Sequence, residues 1–292
     1  MEEEKSNAVN DSHSAWGGNW TSLKNDIVVD YAKAYLTVMK DRKYWKLLYF
    51  DGFAGEGKIS SNSEMDVTIR FSAAMRILNI EKPRSFDMYY LVELNSKNAI
   101  SLENRINDTF VNKNVFVVRD DCNNKLVSLA QFLKSEKGKD YKVLAFVDPY
   151  GMEVKWESIE ILKDLAIDLW ILVPTGLGVN RLLKKDGNIS DAWLKKLHNF
   201  LGLEEEVIRK FFYKSTTTLT LFGDDTKTKK EINAIEKAAE LYKKRLNEVF
   251  KYVSQPFLLK NSTGTIMYHL FMASNNATGL KIANDIIRPR LK

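Results

Sequence analysis

The sequence is poor in the residues that form covalent or metal cross-links. It has a single cysteine, Cys122, and three histidines in 292 residues. An intrachain disulfide is therefore impossible, and no metal site is expected, because a structural zinc site needs about four Cys or His ligands. His198 and His269 lie in apolar surroundings. We interpret both as structural residues rather than catalytic bases.

Long apolar runs are also missing. No stretch approaches the roughly 18 uninterrupted apolar residues of a membrane span. The amino-terminal residues Met1-Glu2-Glu3-Glu4-Lys5 are acidic, unlike the start of a signal peptide. We therefore expect a cytoplasmic protein with no membrane partner. Residues 1–18 are polar and are predicted to form a flexible arm.

The sequence does contain a regular alternation of apolar strands and amphipathic helices. The strands are apolar on both faces, which is typical of a parallel sheet covered by helices. The five predicted strands cover residues 47–50, 87–93, 114–118, 143–147 and 169–173. A hairpin is predicted near the end of the chain, from strands at 252–259 and 265–272. The pattern predicts an α/β fold with a doubly wound, seven-stranded, mostly parallel sheet and a terminal antiparallel hairpin.

The alternation is interrupted between residues 177 and 250. This segment is polar, and we predict that it is a helical insertion with a turn at residues 222–227. Residues 19–176 and 251–292 would then form the main domain. Lysines cluster in the insertion at 184–185, 195–196, 227–230 and 243–244. Lys and Arg outnumber Asp and Glu by 44 to 38. The clusters are either solvated helix faces or a basic clamp for nucleic acid.

Acidic residues follow four successive strands, and glycines follow the first of them. In a parallel sheet these strand ends meet at one edge, where such folds bind ligands. Clustered carboxylates repel each other, so a ligand with several hydrogen-bond donors is expected between them. The acidic residues are Asp51, Glu93, Asp120-Asp121 and Asp148, and the turn after the first strand contains Gly52, Phe53, Gly55 and Gly57.

Two nucleotide-binding alternatives fit this edge less well. A triphosphate would be repelled by the carboxylates, and no G-x-x-x-x-G-K-[ST] motif is present. A nicotinamide cofactor would require a third glycine after Gly57 and an acidic residue about 20 positions further on. Asp51 and Glu93 are instead 42 residues apart. A ribose-bearing or amine-bearing ligand is the better interpretation.

The layout resembles class I S-adenosylmethionine-dependent methyltransferases, with D-G-F-A-G-E-G as the first motif. More narrowly, nearly the whole chain resembles the bacterial-type three-Cys-motif partner protein (TcmP) family. The matching segments are T-S-L-K-N-D-I-V-V-D-Y-A-K-A-Y at 21–35, Y-F-D-G-F-A-G-E-G at 49–57, F-V-D-P-Y-G at 146–151 with Trp156, and Y-H-L-F-M-A-S-N-N-A-T-G at 268–279. The family name implies a partner protein of the three-Cys-motif type.

The resemblance to methyltransferases implies a role for each residue of the acidic edge. Asp51 and the glycine turn would hold the methionine part of S-adenosylmethionine. Glu93 would accept both ribose hydroxyls, which a carboxylate can do with its two oxygens. Asp121 would lie at the adenine with Cys122 beside it, although Cys122 is better explained as a small packing residue.

The segment Asp148-Pro149-Tyr150-Gly151 is similar to the D-P-P-Y motif of enzymes that methylate base amines. In that motif a carboxylate and a carbonyl accept the amine hydrogens, and an aromatic ring stacks on the base. Here one proline is absent, so Tyr150 lies one position earlier and Gly151 replaces the aromatic residue. Two hypotheses follow. The protein either methylates an amine of a nucleic-acid base, producing S-adenosylhomocysteine, or is a catalytically weak or inactive partner subunit with the same fold.

Overall fold

In the computed structural model, the described residues are 19–56, 58–59, 70–220 and 223–291. The predicted arm at 1–18 and the candidate site residue Gly57 lie outside these ranges. The helices are α1 Asn19–Met39, α2 Ala73–Leu78, α3 Ser96–Thr109, α4 Cys122–Lys134, α5 Trp156–Glu160, α6 Asp191–Leu201, α7 Glu205–Phe212, α8 Ala234–Val249 and α9 Ala277–Ile287, with a π-helical turn at Thr175–Asn180 and a 3₁₀ turn at Arg288–Leu291.

The strands, in chain order, are β1 Lys46–Asp51, β2 Lys58–Ile59, β3 Arg70–Phe71, β4 Met88–Val92, β5 Val115–Val118, β6 Tyr141–Val147, β7 Ile167–Val173, β8 Tyr213–Thr220, β9 Gly223–Lys230, β10 Tyr252–Val253, β11 Phe257–Lys260 and β12 Ile266–Ser274. The central sheet has the order β10-β12-β7-β6-β1-β4-β5, and β11 also pairs with β12. Strands β7, β6, β1, β4 and β5 are parallel, whereas β12 is antiparallel to β7, β10 and β11. The predicted Rossmann-like fold class is confirmed.

The sheet contains eight strands where seven were predicted, because the strand expected at 252–259 is divided. Ser254 continues the pairing beyond β10, since its N–H donates to the Met272 carbonyl at 2.8 Å. Pro256 then precedes β11, and proline has no N–H to donate to a ladder. The pairing with β12 stops at this proline and resumes at Phe257.

Alternate side chains of the strands enter two separate cores, one on each face of the sheet. Leu48 and Phe50 of β1 pack with α4, α5, α6 and α8. Leu47 and Tyr49 of the same strand pack with α1, α2, α3 and α9. Burial on both faces explains why these strands are apolar throughout. The sheet is thus doubly wound, with its strand ends exposed only along two edges.

The prediction that residues 177–250 are helical is wrong for residues 213–220 and 223–230. These residues form a two-stranded antiparallel hairpin, paired from Tyr213↔Lys230 to Thr220↔Gly223. The run Thr216-Thr217-Thr218 explains the difference, because β-branched residues favour strands. After the hairpin the predicted helical structure resumes, with α8 beginning at Ala234. Residues 223–227, which were predicted as a turn, belong to β9.

Helix α8 packs against β12 and the π-helical turn, so the end of the predicted insertion covers the sheet. In the described ranges, no helix is both long enough and apolar enough to span a membrane.

Candidate functional site

The first turn of the predicted site is built on Asp51, the last residue of β1. The Asp51 carboxylate accepts hydrogen bonds from the Phe53 N–H at 3.1 Å and from the Tyr49 hydroxyl at 2.9 Å. Burial raises the pKa of Asp51 to about 7, against the hydrogen bonds that lower it, and the charge of Asp148 raises it further. A buried carboxylate with this pKa would gain from a cationic ligand beside it.

The glycines of this turn differ in what surrounds them. A Cβ atom added to Gly52 would lie 2.5 Å from the sulfur of Cys122, so Gly52 is required by packing. Cys122 is buried, and burial raises the pKa of its thiol above the ordinary range. Gly55 has a φ of +64° and nothing within 4 Å of an added Cβ. Within the described part of the chain, the Gly55 turn therefore has open space beside it.

Glu93 follows β4, and two backbone groups hold its carboxylate in place. The Gly55 N–H donates to Oε2 at 2.9 Å, and the Asn95 N–H donates to Oε1 at 2.7 Å. A carboxylate offers about four acceptor positions, so each oxygen can accept a further donor. The next residue, Leu94, is 69% exposed. Glu93 thus combines a fixed pair of acceptors with an adjacent apolar surface, which the sequence analysis had not singled out.

The two acidic residues after β5 stabilise the start of α4. Asp121 is its N-cap and accepts from the Asn123 N–H at 2.7 Å. Asp120 pairs with Lys125 at 2.8 Å, and this hydrogen bond is the main reason that the pKa of Asp120 falls to about 2. Of the two, Asp121 is the one that lies beside Cys122. Both nevertheless have local structural roles that do not require a ligand.

Asp148, after β6, pairs with a cation that the sequence analysis missed. The Lys24 ammonium of α1 lies 2.6 Å from Oδ1 and 2.5 Å from Oδ2 of Asp148. The side chains of Lys24 and Asp148 are only 9% and 16% exposed. The positive charge of Lys24 also lowers the pKa of Asp51. The donors expected from a ligand between the carboxylates are thus supplied in part by the protein itself.

The loop after Asp148 is fixed to the start of α4 but leaves one aromatic ring free. The Asn123 side chain donates to the Glu153 carbonyl at 2.9 Å and accepts from the Lys155 N–H at 2.8 Å. Pro149 is buried, whereas Tyr150 is 78% exposed. The Tyr150 carbonyl accepts a hydrogen bond from the Tyr268 hydroxyl at 3.0 Å. The backbone of the loop is therefore anchored, while the ring of Tyr150 can contact a ligand.

The two histidines make contacts of their own, one buried and one local. His269 Nδ1 lies 2.7 Å from the Thr175 hydroxyl, and burial lowers the pKa of His269 to about 4. His198 Nδ1 donates to the Leu203 carbonyl at 2.9 Å. Among the residues that the structure describes, no group of three or more His, Cys, Asp and Glu side chains is arranged to bind a metal.

The structure therefore brings the predicted residues together at the carboxyl edge in three contacts. Asp148 contacts Lys24, Glu93 contacts the Gly55 backbone, and Cys122 contacts Gly52. The edge offers acceptors for hydroxyl and ammonium groups and an exposed aromatic ring. Such a donor-seeking edge suits a ribose and a cation better than a phosphate.

No protein-family model matches the chain, and no curated protein matches it. Solved structures with a similar fold include a DUF519 family protein from Legionella pneumophila, with 13% identity over 93% of this chain and 94% of that one and a TM-score of 0.45. Trm1 from Pyrococcus horikoshii, solved with S-adenosyl-L-methionine, has 12% identity, coverage of 91% and 71%, and a TM-score of 0.38. An rRNA methylase from Streptococcus thermophilus has 11% identity, coverage of 87% and 95%, and a TM-score of 0.33. These similarities concern the fold alone, and membership of the TcmP family stays a prediction.

Proposed function

We propose that the protein is an S-adenosylmethionine-dependent methyltransferase whose acceptor is an amine of a nucleic-acid base. The observation that carries the proposal is the geometry of Glu93. Its two oxygens are each held by one backbone N–H and can each accept one of two neighbouring ribose hydroxyls. Exposed Leu94 beside it offers an apolar surface for the adenine ring.

Asp51 fits the methionine part of the cofactor. Its carboxylate is buried beside the open Gly55 turn, and a nearby ammonium group would favour its ionised form. The Asp121 carboxylate, next to Cys122, is the candidate acceptor at the adenine. When bound, the cofactor supplies an electrophilic methyl group on a sulfonium. Acidic residues around such a cation stabilise its charge, whereas they would repel a phosphate-rich ligand.

Asp148 and Tyr150 would position the acceptor. Lys24 fixes the Asp148 carboxylate at the edge, and the remaining acceptor positions of that carboxylate can receive the hydrogens of an amine. The exposed ring of Tyr150 would stack on the base. Pro149 is buried and holds the backbone between them. The protein would thus act mainly by orientation of the amine toward the methyl group.

Calorimetry with S-adenosylmethionine tests the cofactor site. Glu93→Ala removes two hydrogen bonds to a charged acceptor, each worth about 1.5–3 kcal/mol, so binding should weaken at least 100-fold. Glu103→Ala, on the exposed side of α3, is the matched control and should bind like the wild type. Absence of binding by the wild-type protein would refute the proposal.

A catalytically weak or inactive partner subunit is the second candidate function. It is favoured by the Lys24–Asp148 pair, which already occupies both carboxylate oxygens, and by Gly151 in place of an aromatic residue. Such a subunit would act by binding a partner of the three-Cys-motif type or a nucleic acid.

Transfer of a tritiated methyl group to pools of RNA, DNA and protein separates the two candidates. The enzyme should label nucleic acid, and Asp148→Ala should abolish the label without preventing cofactor binding. Cofactor binding without transfer to any pool would instead favour the partner subunit.

A further inference from the structure

We propose that the hairpin arm, defined as strands Tyr213–Thr220 and Gly223–Lys230, is a ribbon that binds nucleic acid by lying in the groove of a duplex. The inference rests on the proposed function and deepens it, because it names the element that would hold the substrate. It replaces the predicted helical clamp with a β-structure that the sequence had not revealed.

The shape of the arm fits this partner. Each strand has eight residues, and the pairing is continuous from Tyr213↔Lys230 to Thr220↔Gly223. At about 3.4 Å per residue the arm is roughly 25 Å long. The major groove of B-form DNA, about 12 Å wide, admits a two-stranded β-ribbon.

The composition of the arm favours contact with phosphates and base edges. Its described residues include seven Ser or Thr, four lysines and two aspartates, Asp224 and Asp225, which leaves the arm with a formal charge of +2. Lys214, Thr216 and Lys229 are exposed. Hydroxyl and ammonium groups are among the usual donors to phosphate oxygens.

The base of the arm is anchored next to the candidate site. The Lys230 ammonium donates to the carbonyls of Asn180 and Leu183, both at 2.8 Å. Asn180 ends the π-helical turn that follows β7, and β7 is parallel to β6, so both end at the same edge of the sheet. A duplex held by the arm would therefore lie against the edge that contains Asp148 and Tyr150.

A cavity of about 380 Å³ lies beneath the base of the arm. Its lining includes Arg209 and Lys210 of α7, Tyr213 of β8 and the acidic side chain of Asp186. Tyr213 is only 7% exposed, and its buried hydroxyl has no hydrogen-bond partner. Arg209 already donates to the Gly187 carbonyl at 2.9 Å and pairs with Glu205. Arg209 and exposed Lys210 thus add two cations near the base of the arm, offset in part by the negative charge of Asp186.

A protein strand added to the edge of the hairpin is the competing occupant. Lysines on edge strands discourage such pairing. Protein interfaces also depend on buried aromatic, Arg or apolar anchors, and Lys214, Ser215, Thr216 and Thr217 offer none on the exposed part of β8. The charge and the donors of the arm therefore favour nucleic acid.

Fluorescence anisotropy of labelled duplex DNA, duplex RNA and single-stranded DNA tests the arm on the full-length protein without cofactor. The test variant is Lys214→Gln/Lys229→Gln. The Lys214 side chain is 78% exposed and pairs with Glu231 at 3.4 Å, and Glu231 keeps a second cation, Lys237 at 3.0 Å, when Lys214 is replaced. The matched control is Lys137→Gln/Lys163→Gln, two exposed lysines in loops at the opposite edge.

Binding to duplex DNA should weaken about tenfold or more in the test variant. The slope of log K against log salt should shrink by about 1.8, or about 0.9 for each phosphate that a lysine no longer neutralises. The control should keep the wild-type slope. Duplex RNA should bind more weakly than duplex DNA, because the major groove of A-form RNA is too narrow for the ribbon. Thermal unfolding should be the same for both double variants.

Equal slopes for the test variant and the control would overturn the proposal, and so would the absence of binding to any nucleic acid. Arm-dependent binding without preference for duplex DNA would overturn placement in the groove. The outcomes for the arm and for the enzyme are separable. If the arm binds DNA but the protein does not bind S-adenosylmethionine, the proposed function fails alone. If nucleic acid is methylated equally by the test variant, the arm proposal fails alone.

Discussion

Helix α1 contacts a carboxylate at each end of the sheet, and the two contacts differ in chemistry. At the carboxyl edge, Lys24 forms an ion pair with Asp148 at 2.5 Å. About two turns later, the Tyr31 hydroxyl donates to Asp168 at 2.7 Å, near the start of β7. Ser274 donates to the other oxygen of Asp168. The first carboxylate has a full countercharge, whereas hydrogen bonds from two neutral hydroxyls satisfy the second.

The two carboxylates therefore differ in role: Asp148 belongs to the candidate site, whereas Asp168 is enclosed in the protein. Asp168 is 8% exposed, and burial raises its pKa. Neutral donors suffice there because no ligand reaches the carboxyl group. Asp148 lies close to the surface, beside exposed Tyr150. Its ion pair with Lys24 holds a charged carboxylate at that edge. Helix α1 thus contacts both edges of the sheet, but only the carboxyl edge remains able to bind a ligand.

The largest expected effect comes from Lys24→Met. This change keeps much of the side-chain volume but leaves the Asp148 carboxylate largely buried without its cation. Loss of one partner from such a pair costs about 3–5 kcal/mol, which urea unfolding at pH 8 should show. Lys33→Met on the exposed face of the same helix is the control, with a change below about 0.5 kcal/mol. Equal stability of Lys24→Met and the wild type would mean that the pair contributes nothing.

The next effect concerns the pH dependence of stability at the site. The pKa of Asp51 is about 7 in the folded protein, above its ordinary value of 3.8. The folded state therefore binds more protons than the unfolded state between about pH 4 and pH 7, and stability falls as pH rises through that window, by about 1.4 kcal/mol per pH unit. Asp51→Asn should remove this slope and be more stable than the wild type at pH 8. Denaturant unfolding from pH 4 to pH 8 measures it; parallel curves for the two proteins would contradict the assignment.

A smaller effect is expected at the buried contact between Tyr31 and Asp168. Tyr31→Phe leaves a buried acceptor of Asp168 without its donor, which should cost about 1–3 kcal/mol. Tyr35→Phe on the same helix provides a close control, because the buried Tyr35 hydroxyl has no hydrogen-bond partner. Its removal should be neutral or slightly stabilising. Equal losses of unfolding free energy in the two variants would contradict a specific role for the Tyr31–Asp168 hydrogen bond.

The smallest effect tests how tightly this end is packed. A Cβ added to Gly279 would lie 2.9 Å from the Tyr31 hydroxyl and 3.3 Å from Asp168 Oδ2. Gly279→Ala should cost about 1 kcal/mol, since the contact outweighs the helical preference of alanine. In the Tyr31→Phe background the cost should be smaller, although Met272 Cε would still lie 3.0 Å from the added Cβ. A double-mutant cycle with no coupling between the two positions would show that the oxygen atoms do not limit the space.

The elements of the fold could be predicted from local patterns, because each strand carries its own apolar signal. The acidic edge was predictable for the same reason: parallel strands place Asp51, Glu93 and Asp148 on one side. The hairpin arm was missed because its strands do not alternate apolar and polar residues. Without that alternation, a run of Thr and Lys resembles a solvated segment.

The contacts that define the site could not be predicted, because they join distant parts of the chain. Lys24 and Asp148 are 124 residues apart, and Tyr31 and Asp168 are 137 apart. Neither position has a local feature that announces its partner. The roles of Asp120 and Asp121 at the start of α4 were accessible in principle, since Asp before a helix is a common N-cap. Because both residues directly follow a strand, they were instead interpreted as part of a ligand-binding edge.

The long-range contacts of α1 also affect how the chain folds during synthesis. The partners of this first described helix emerge much later: Asp148 and Asp168 near the middle of the chain, and Arg290, which contacts Asp30 at 2.6 Å, almost at its end. At about 5–20 residues per second, α1 must wait many seconds for them. Contacts of such long sequence separation are slow to form and oppose stable folding of an amino-terminal fragment. The two cores should therefore fold as one cooperative unit, in which α1 gains its last partner only after Arg290 has been synthesised.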